Sequence, residues 1–297
     1  MRILVTGGAG QVGWELRRTL AIFGEVIAPL RDILDLASAD SILAAVRGVR
    51  PDLIVNAAAY TAVDKAESES DLAMKINGDA PRILAEEAVL RNAALVHYST
   101  DYVFDGRKAQ PYGEDDETAP INVYGRTKLA GEQAVLAAKA AHLVFRTSWV
   151  YGSRGRNFLL TMLRLARERK ELKVVDDQFG APTSARMIAE ATAAAIARSF
   201  AHGVLDLDQF RQMGGLYHLT AGGRTTWHGF AQAILAGKEG VAKVLPIPTS
   251  GYPTPARRPQ NSVLDNDKLE NRFGFSLPDW KVGLRLCLEE LDPQLNG

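Results

Sequence analysis

Two periods alternate along the first 150 residues. Short apolar runs at 3–5, 26–28, 53–55, 95–98 and 143–145 have the length and β-branched content of buried strands. Between them, 14–23, 39–49, 72–91 and 123–140 place apolar residues at helical spacing over stretches long enough for crossover helices. Strand and helix in alternation mark βαβ units. Right-handed crossovers then predict an α/β fold with a doubly wound, Rossmann-type parallel sheet.

After about residue 150 the pattern changes. A basic helix is expected at 158–170, an irregular stretch at 174–184 and an alanine-rich helix at 185–199. Pro246, Pro248, Pro253, Pro255 and Pro259 exclude regular helix and read as a loop laid over a surface. The expected division is a dinucleotide-binding domain at 1–150 and, at 151–297, mainly a substrate-binding lobe with some segments returning to the first domain.

Composition narrows the function. Of the 297 residues, 35 are Lys or Arg and 35 are Asp or Glu. A zero balance argues against nucleic-acid binding by phosphate neutralisation. No apolar run approaches the roughly 18 residues of a membrane span, and the amino terminus runs into glycines rather than a secretory core. The single cysteine, Cys287, excludes an internal disulfide and suits a cytoplasmic protein. The histidines His97, His142, His202, His218 and His228 lack metal-ligand spacing and are expected to be structural or exposed.

The turn Gly7-Gly8-Ala9-Gly10-Gln11-Val12-Gly13 directly follows the first strand and opens a helix. Such glycines permit a tight turn and close backbone approach, and the helix offers free N–H groups to a pyrophosphate. No Lys-Ser or Lys-Thr closes the turn, so a nucleotide-hydrolysing P-loop is disfavoured. An acidic residue at the end of the second strand would bind the ribose of NAD. Here Leu30 and Arg31 occur instead, and a guanidinium there can meet a 2′-phosphate. NADPH is therefore the expected cofactor, with NADH kept open by Asp32 and Asp35. Asp35 and Leu36 are expected beside the adenine, and the small residues of Asn56-Ala57-Ala58-Ala59 beside the cofactor backbone.

Tyr124 and Lys128 stand at i and i+4, on one helix face. A cation beside a phenol favours phenolate, and a tyrosine brought towards neutrality can exchange a proton with a carbonyl or alcohol oxygen. Alone the pair is a weak signal. Thr100, at the end of the fourth strand on the same sheet edge as the glycine turn, can add a hydroxyl to the substrate oxygen and the tyrosine.

Glycine turn, Ser99-Thr100-Asp101 and Tyr-Lys pair together resemble the extended short-chain dehydrogenase/reductase family of nucleotide-sugar enzymes. Within it, residues 56–64, 97–104, 177–183 and 253–259 resemble the dTDP-4-dehydrorhamnose reductases, and the likeness runs through the whole chain. It implies reduction of dTDP-4-dehydro-L-rhamnose to dTDP-L-rhamnose, the last step in making this sugar for cell-surface polysaccharide. By the same resemblance Tyr124 is the proton donor, Lys128 holds the nicotinamide ribose and lowers the tyrosine pKa, and Thr100 polarises the keto oxygen. Gly10, Gln11 and Val12 would contact the pyrophosphate, with Gly7 and Gly13 shaping the turn. Asp35 and Leu36 would contact the adenosine, and Ala59, Tyr60, Thr61 and Tyr98 would complete the cofactor wall. Thr100, Asp101 and Trp149 would contact the sugar nucleotide.

Two other readings stay open at this stage: a sugar-nucleotide epimerase or dehydratase, and a non-catalytic regulatory subunit of the methionine adenosyltransferase type. Some family members are metal-bridged dimers. Glu15 could supply one ligand, but Arg186 stands where an acidic partner is sought, so no metal is expected and a homodimer stays open. Arg257 and Arg258 either meet a diphosphate or pin the proline-rich loop.

Overall fold

The computed structural model describes residues 1–201, 203–238 and 240–291; His202, among the histidines above, lies outside them. Its centre is a six-stranded parallel sheet. The strands, in chain order, are β1 (Arg2–Thr6), β2 (Glu25–Ile27), β3 (Leu53–Asn56), β4 (Ala94–Thr100), β5 (Ala141–Thr147) and a late arrival, Gly215–His218. Their spatial order is β2, β1, β3, β4, β5, then the late strand. Ile3 pairs with Val26 on one side and Leu53 on the other. Strand order therefore reverses between β1 and β3, the switch point at which ligands bind beyond the carboxyl ends of strands.

Two helical layers enclose the sheet. On one face, Val5, Val96 and Phe145 pack against Leu16 of α1 (Gln11–Thr19), Leu20 just past its end, and Ile188 and Ile196 of a helix at Ala185–Ala197. On the other, Leu4, Ile54 and Leu95 meet Ile42 and Val46 of α2 (Ala39–Val49), and Leu84 and Ala88 of the helix Ala80–Arg91. Strands buried on both faces read as continuous apolar runs rather than alternating ones, which is why they were legible in sequence. A separate core forms the carboxy-terminal lobe, where Leu159 and Met162 of the helix Phe158–Glu168 pack against Phe230, Ile234, Trp280 and Leu284.

Three expectations are revised. First, α1 begins at Gln11 rather than at 14, because the turn passes directly into helix once Gly10 N–H has bonded the Gly7 carbonyl at 2.8 Å. Second, residues 72–91 are not one regular helix. A π turn at Lys75–Asp79 separates the helices Ser70–Met74 and Ala80–Arg91. Third, the proline-rich run is not all loop, since Pro246 lies in the strand Lys243–Ile247, opposite Val174. That strand has a single partner, so the missing proline N–H interrupts no second ladder.

Candidate active site

The site assembles at the carboxyl edge of β1, β3, β4 and β5. Gly7 takes φ +67°, and a Cβ there would lie 2.8 Å from the Ala58 Cα. A Cβ on Gly13 would lie 2.1 Å from the Gly7 carbonyl oxygen. Only glycine lets the turn, the start of α1 and the end of β3 come this close. Gly7, Arg31, Asp35, Leu36 and Ala59 line one cleft, together with Leu34 and Ile76. The Arg31 side chain is 76% exposed and only loosely paired, 3.7 Å from Asp35. A backbone cradle ending in an available guanidinium fits a dinucleotide with an anionic group on its adenosine end.

The remaining cofactor-wall residues divide. Gln11 accepts a hydrogen bond from Asn157 at 2.8 Å, joining the glycine turn to the lobe. Val12 leans into the core. The Tyr60 hydroxyl donates to Glu69 at 2.6 Å, and that bond pushes its pKa up to about 12. Thr61 is exposed. Tyr98 turns its ring into the core and bonds Thr192 at 2.7 Å. What Tyr98 gives the site is its carbonyl, which accepts from Lys128 Nζ at 2.5 Å.

The helix Val123–Ala137 carries Tyr124 and Lys128. Asn122 caps it, its Oδ1 accepting from the Gly125 N–H at 2.7 Å while its Nδ2 donates to the Arg257 carbonyl. Gly125 matters because a Cβ there would sit 2.2 Å from the Tyr102 carbonyl oxygen. The helix can thus lie against the turn Asp101–Val103, and Tyr102 meets Tyr124 edge-on at 5.6 Å.

Electrostatics differ from expectation at the phenol. Burial pushes Tyr124 up to about 12, opposed only in part by the nearby Thr100 hydroxyl, so the phenol is held as a proton donor rather than brought towards neutrality. Lys128 aims at a carbonyl and does not offset that desolvation. Burial also lowers Lys128 to about 8 and raises Asp101 to about 7. Thr100 donates to Asp101 Oδ1 at 2.9 Å and accepts from the Tyr102 N–H.

Trp149 stands just past β5 with φ +47°, a costly conformation for a bulky residue. Its ring lies against Gly180, where a Cβ would be 2.4 Å from Cε2, and stacks on Trp227 at 3.6 Å and 6°. Strain of this kind survives only where surrounding packing fixes it.

Several contributors escaped the sequence reading. Asn77, at the π turn, accepts from the Tyr60 N–H and donates to the Tyr60 carbonyl and to Thr127. Trp227 supports Trp149. Asp64 forms a two-bond ion pair with Arg258, both distances 2.7 Å, so Arg258 pins the proline-rich loop while Arg257 is exposed. A π turn gives a local hint only in retrospect, since helix period alone does not reveal one.

The Glu15 carboxylate, buried, faces Arg18 at 2.8 Å and Arg186 at 3.4 Å, Arg186 also holds Glu290, and Glu190 lines the same pocket.

Residues 1–292 match the family model described as the RmlD substrate binding domain. The dTDP-4-dehydrorhamnose reductase of Burkholderia thailandensis is 51% identical over 302 residues, covering 98% of this chain and 99% of that protein. The chain belongs to the dTDP-4-dehydrorhamnose reductase family. Among solved structures, the reductase of Clostridium acetobutylicum superposes with a TM-score of 0.90 at 38% identity, covering 98% of this chain and 99% of its own. The Bacillus anthracis reductase, solved in complex with NADP, gives 0.87 at 35% identity over 97% and 99%. No helix among the described residues is long and apolar enough to cross a membrane.

Proposed function

We propose that this protein reduces the 4-keto group of dTDP-4-dehydro-L-rhamnose to give dTDP-L-rhamnose, with NAD(P)H as the reductant. The observation that carries the reading is the meeting of Thr100, Tyr124 and Lys128 at the sheet edge beside the glycine cradle, in a chain 51% identical to a reductase of that name. NADPH, when bound, supplies the hydride. Gly7, Gly10, Gln11, Val12 and Gly13 would hold its pyrophosphate, and Asp35, Leu36 and Ala59 its adenosine side.

The protein's own part is proton delivery and placement. Tyr124, held protonated by burial, is suited to give its proton to the oxygen that becomes the alkoxide. Thr100, whose hydroxyl already bonds Asp101 and the Tyr102 N–H, is proposed to orient that oxygen. Lys128 is the one buried cation on the same helix face, and it steadies negative charge on the phenol once the proton has left. Asp101 and Trp149 are proposed to face the sugar nucleotide. Arg31 is proposed to set a preference for NADPH. A division near residue 150 into cofactor and substrate halves, and cytoplasmic residence with Cys287 reduced, are part of the same reading.

The test follows NADPH, and separately NADH, by absorbance with dTDP-4-dehydro-L-rhamnose as substrate. Consumption with dTDP-L-rhamnose as product is expected, and Tyr124→Phe should reduce turnover by roughly 100-fold with cofactor affinity nearly unchanged. Near-normal turnover in that variant sinks the assignment of Tyr124. Absence of consumption by folded, cofactor-binding protein sinks the reductase reading.

A further inference from the structure

The helix face that bears Tyr124 and Lys128 continues one turn further to Glu132, since these positions recur every fourth residue. Glu132 is 1% exposed and its partner Arg146, on β5, is 2% exposed. The two meet as a fork, Nε to Oε2 at 2.9 Å and Nη2 to Oε1 at 2.6 Å. Arg146 is fixed in turn, its guanidinium 4.9 Å above the Phe104 ring and its Nη1 3.5 Å from His218 Nε2. Burial of such a pair is a poor source of stability, because desolvating both charges rivals their attraction. A carboxylate kept here at that cost calls for a task.

We propose that Glu132, locked by Arg146, is a positioning residue for the reaction: it is the fixed counter-charge beneath Lys128 that holds this side chain as an ammonium ion, aimed at the sheet edge. The proposal rests on the reading of Tyr124 and Lys128 as the reacting pair. Among the described residues Lys128 has no carboxylate in direct contact, and its Nζ goes to the Tyr98 carbonyl. Burial pulls its pKa down, and the field of Glu132 opposes that pull.

Other charges around Lys128 do not substitute for Glu132. From β4 comes His97, kept neutral by burial and by Lys128 itself. From the turn after β4 comes Asp101, raised by burial to about 7 and so largely ionised where Lys128 titrates, but its carboxylate is engaged by Thr100 and does not act on Lys128. Tyr124 shares the helix and is neutral. Asp64 is spent on Arg258, and Lys75 and Asp79 of the π turn are exposed. Beyond Glu132 lies Arg146, whose opposite charge cancels part of the field.

The experiment is the pH profile of kcat/KM between pH 6.5 and 9.5 for wild type, Lys128→Met, Glu132→Gln and the double variant Glu132→Gln with Arg146→Gln. In wild type the ammonium form prevails below about 8 and is lost above, which gives an alkaline limb. At an effective dielectric of about 20, a carboxylate one helical turn away is worth roughly one to two pH units at Lys128, and about half of that once Arg146 is counted. Glu132→Gln should therefore move the limb down by about one to two units, and the double variant, which leaves no lone buried charge, by about half to one unit. Activity at pH 6.5 should be better preserved in both than activity at pH 8.5. A uniform loss at every pH with the midpoint unmoved in the double variant overturns the proposal and leaves Glu132 a packing residue. Should Lys128→Met retain the wild-type limb, the underlying reading of Lys128 fails, and the proposal with it.

Discussion

Replacing Gly180 by alanine tests the seat of Trp149 directly. The backbone at Gly180 is not left-handed, so alanine carries no conformational penalty there and the effect is confined to one added methyl. That methyl would lie 2.4, 2.6 and 2.7 Å from Cε2, Nε1 and Cζ2 of the Trp149 ring. Restoring ordinary contact requires a shift of about 1 Å. The ring cannot move without disturbing Trp227, which lies parallel to it at 3.6 Å. Either both indoles move, at an overpacking cost of ~1–3 kcal/mol, or Trp149 leaves the stack and forfeits ~0.5–1.5 kcal/mol of aromatic pairing. Stacked indoles couple their transitions, so near-ultraviolet circular dichroism should lose a tryptophan band pair, and urea unfolding should report a loss of about 1–3 kcal/mol. If Trp149 faces the sugar nucleotide, KM for that substrate should rise roughly tenfold, equivalent to ~1.4 kcal/mol, with NADPH affinity unchanged. Unaltered dichroism together with stability within about 0.5 kcal/mol of wild type would refute this account of the ring.

Arg31→Ala should raise KM for NADPH by about tenfold, the loss of one charge-assisted contact, while KM for NADH stays put; equal effects on both would remove Arg31 from cofactor choice. Asn77→Ala leaves the part-buried Tyr60 N–H and carbonyl without their Asn77 partner, so a destabilisation of about 1–3 kcal/mol and weaker cofactor binding are expected, measured by urea unfolding and fluorescence titration. Acid should destabilise the fold through buried histidines. His218 is held down to about 3 by burial and Arg146, whereas in the unfolded chain it takes a proton near 6.5. The unfolded state therefore binds more protons as pH falls below about 6.5, and stability declines there. His218→Gln should flatten the decline between pH 7.5 and 5.5 relative to wild type, and an identical slope in both would show that His218 does not contribute.

Legibility followed the range of the interactions involved. β1, β3, β4 and β5 were readable because burial on both faces makes their sequences continuously apolar, and the glycine turn because steric demand at Gly7 and Gly13 leaves few alternatives. Tyr124 and Lys128 were readable because their relation is one helical turn. Asn77, Trp227 and the Asp64–Arg258 pair were not, since each acts on a partner 17 to 194 residues away and none has a local pattern. The phenol pKa was misjudged for a related reason: the sequence shows a lysine four residues on, but neither the desolvation of the ring nor the Tyr98 carbonyl that takes the ammonium.

The late strand Gly215–His218 has a consequence for biogenesis. It lies beside β5, and the helix Ala185–Ala197 covers α1, so the sheet whose first strand begins at Arg2 is completed only at Gly215–His218. A nascent chain that has released its first 150 residues from the ribosome still exposes one edge of β5 and one face of α1. Such an intermediate has an unpaired edge open to association, and pairings this distant in sequence slow folding. Truncation near residue 150 should accordingly yield an aggregating fragment, and the cofactor cradle, although encoded at the amino terminus, becomes firm only once the strand Gly215–His218 has been made.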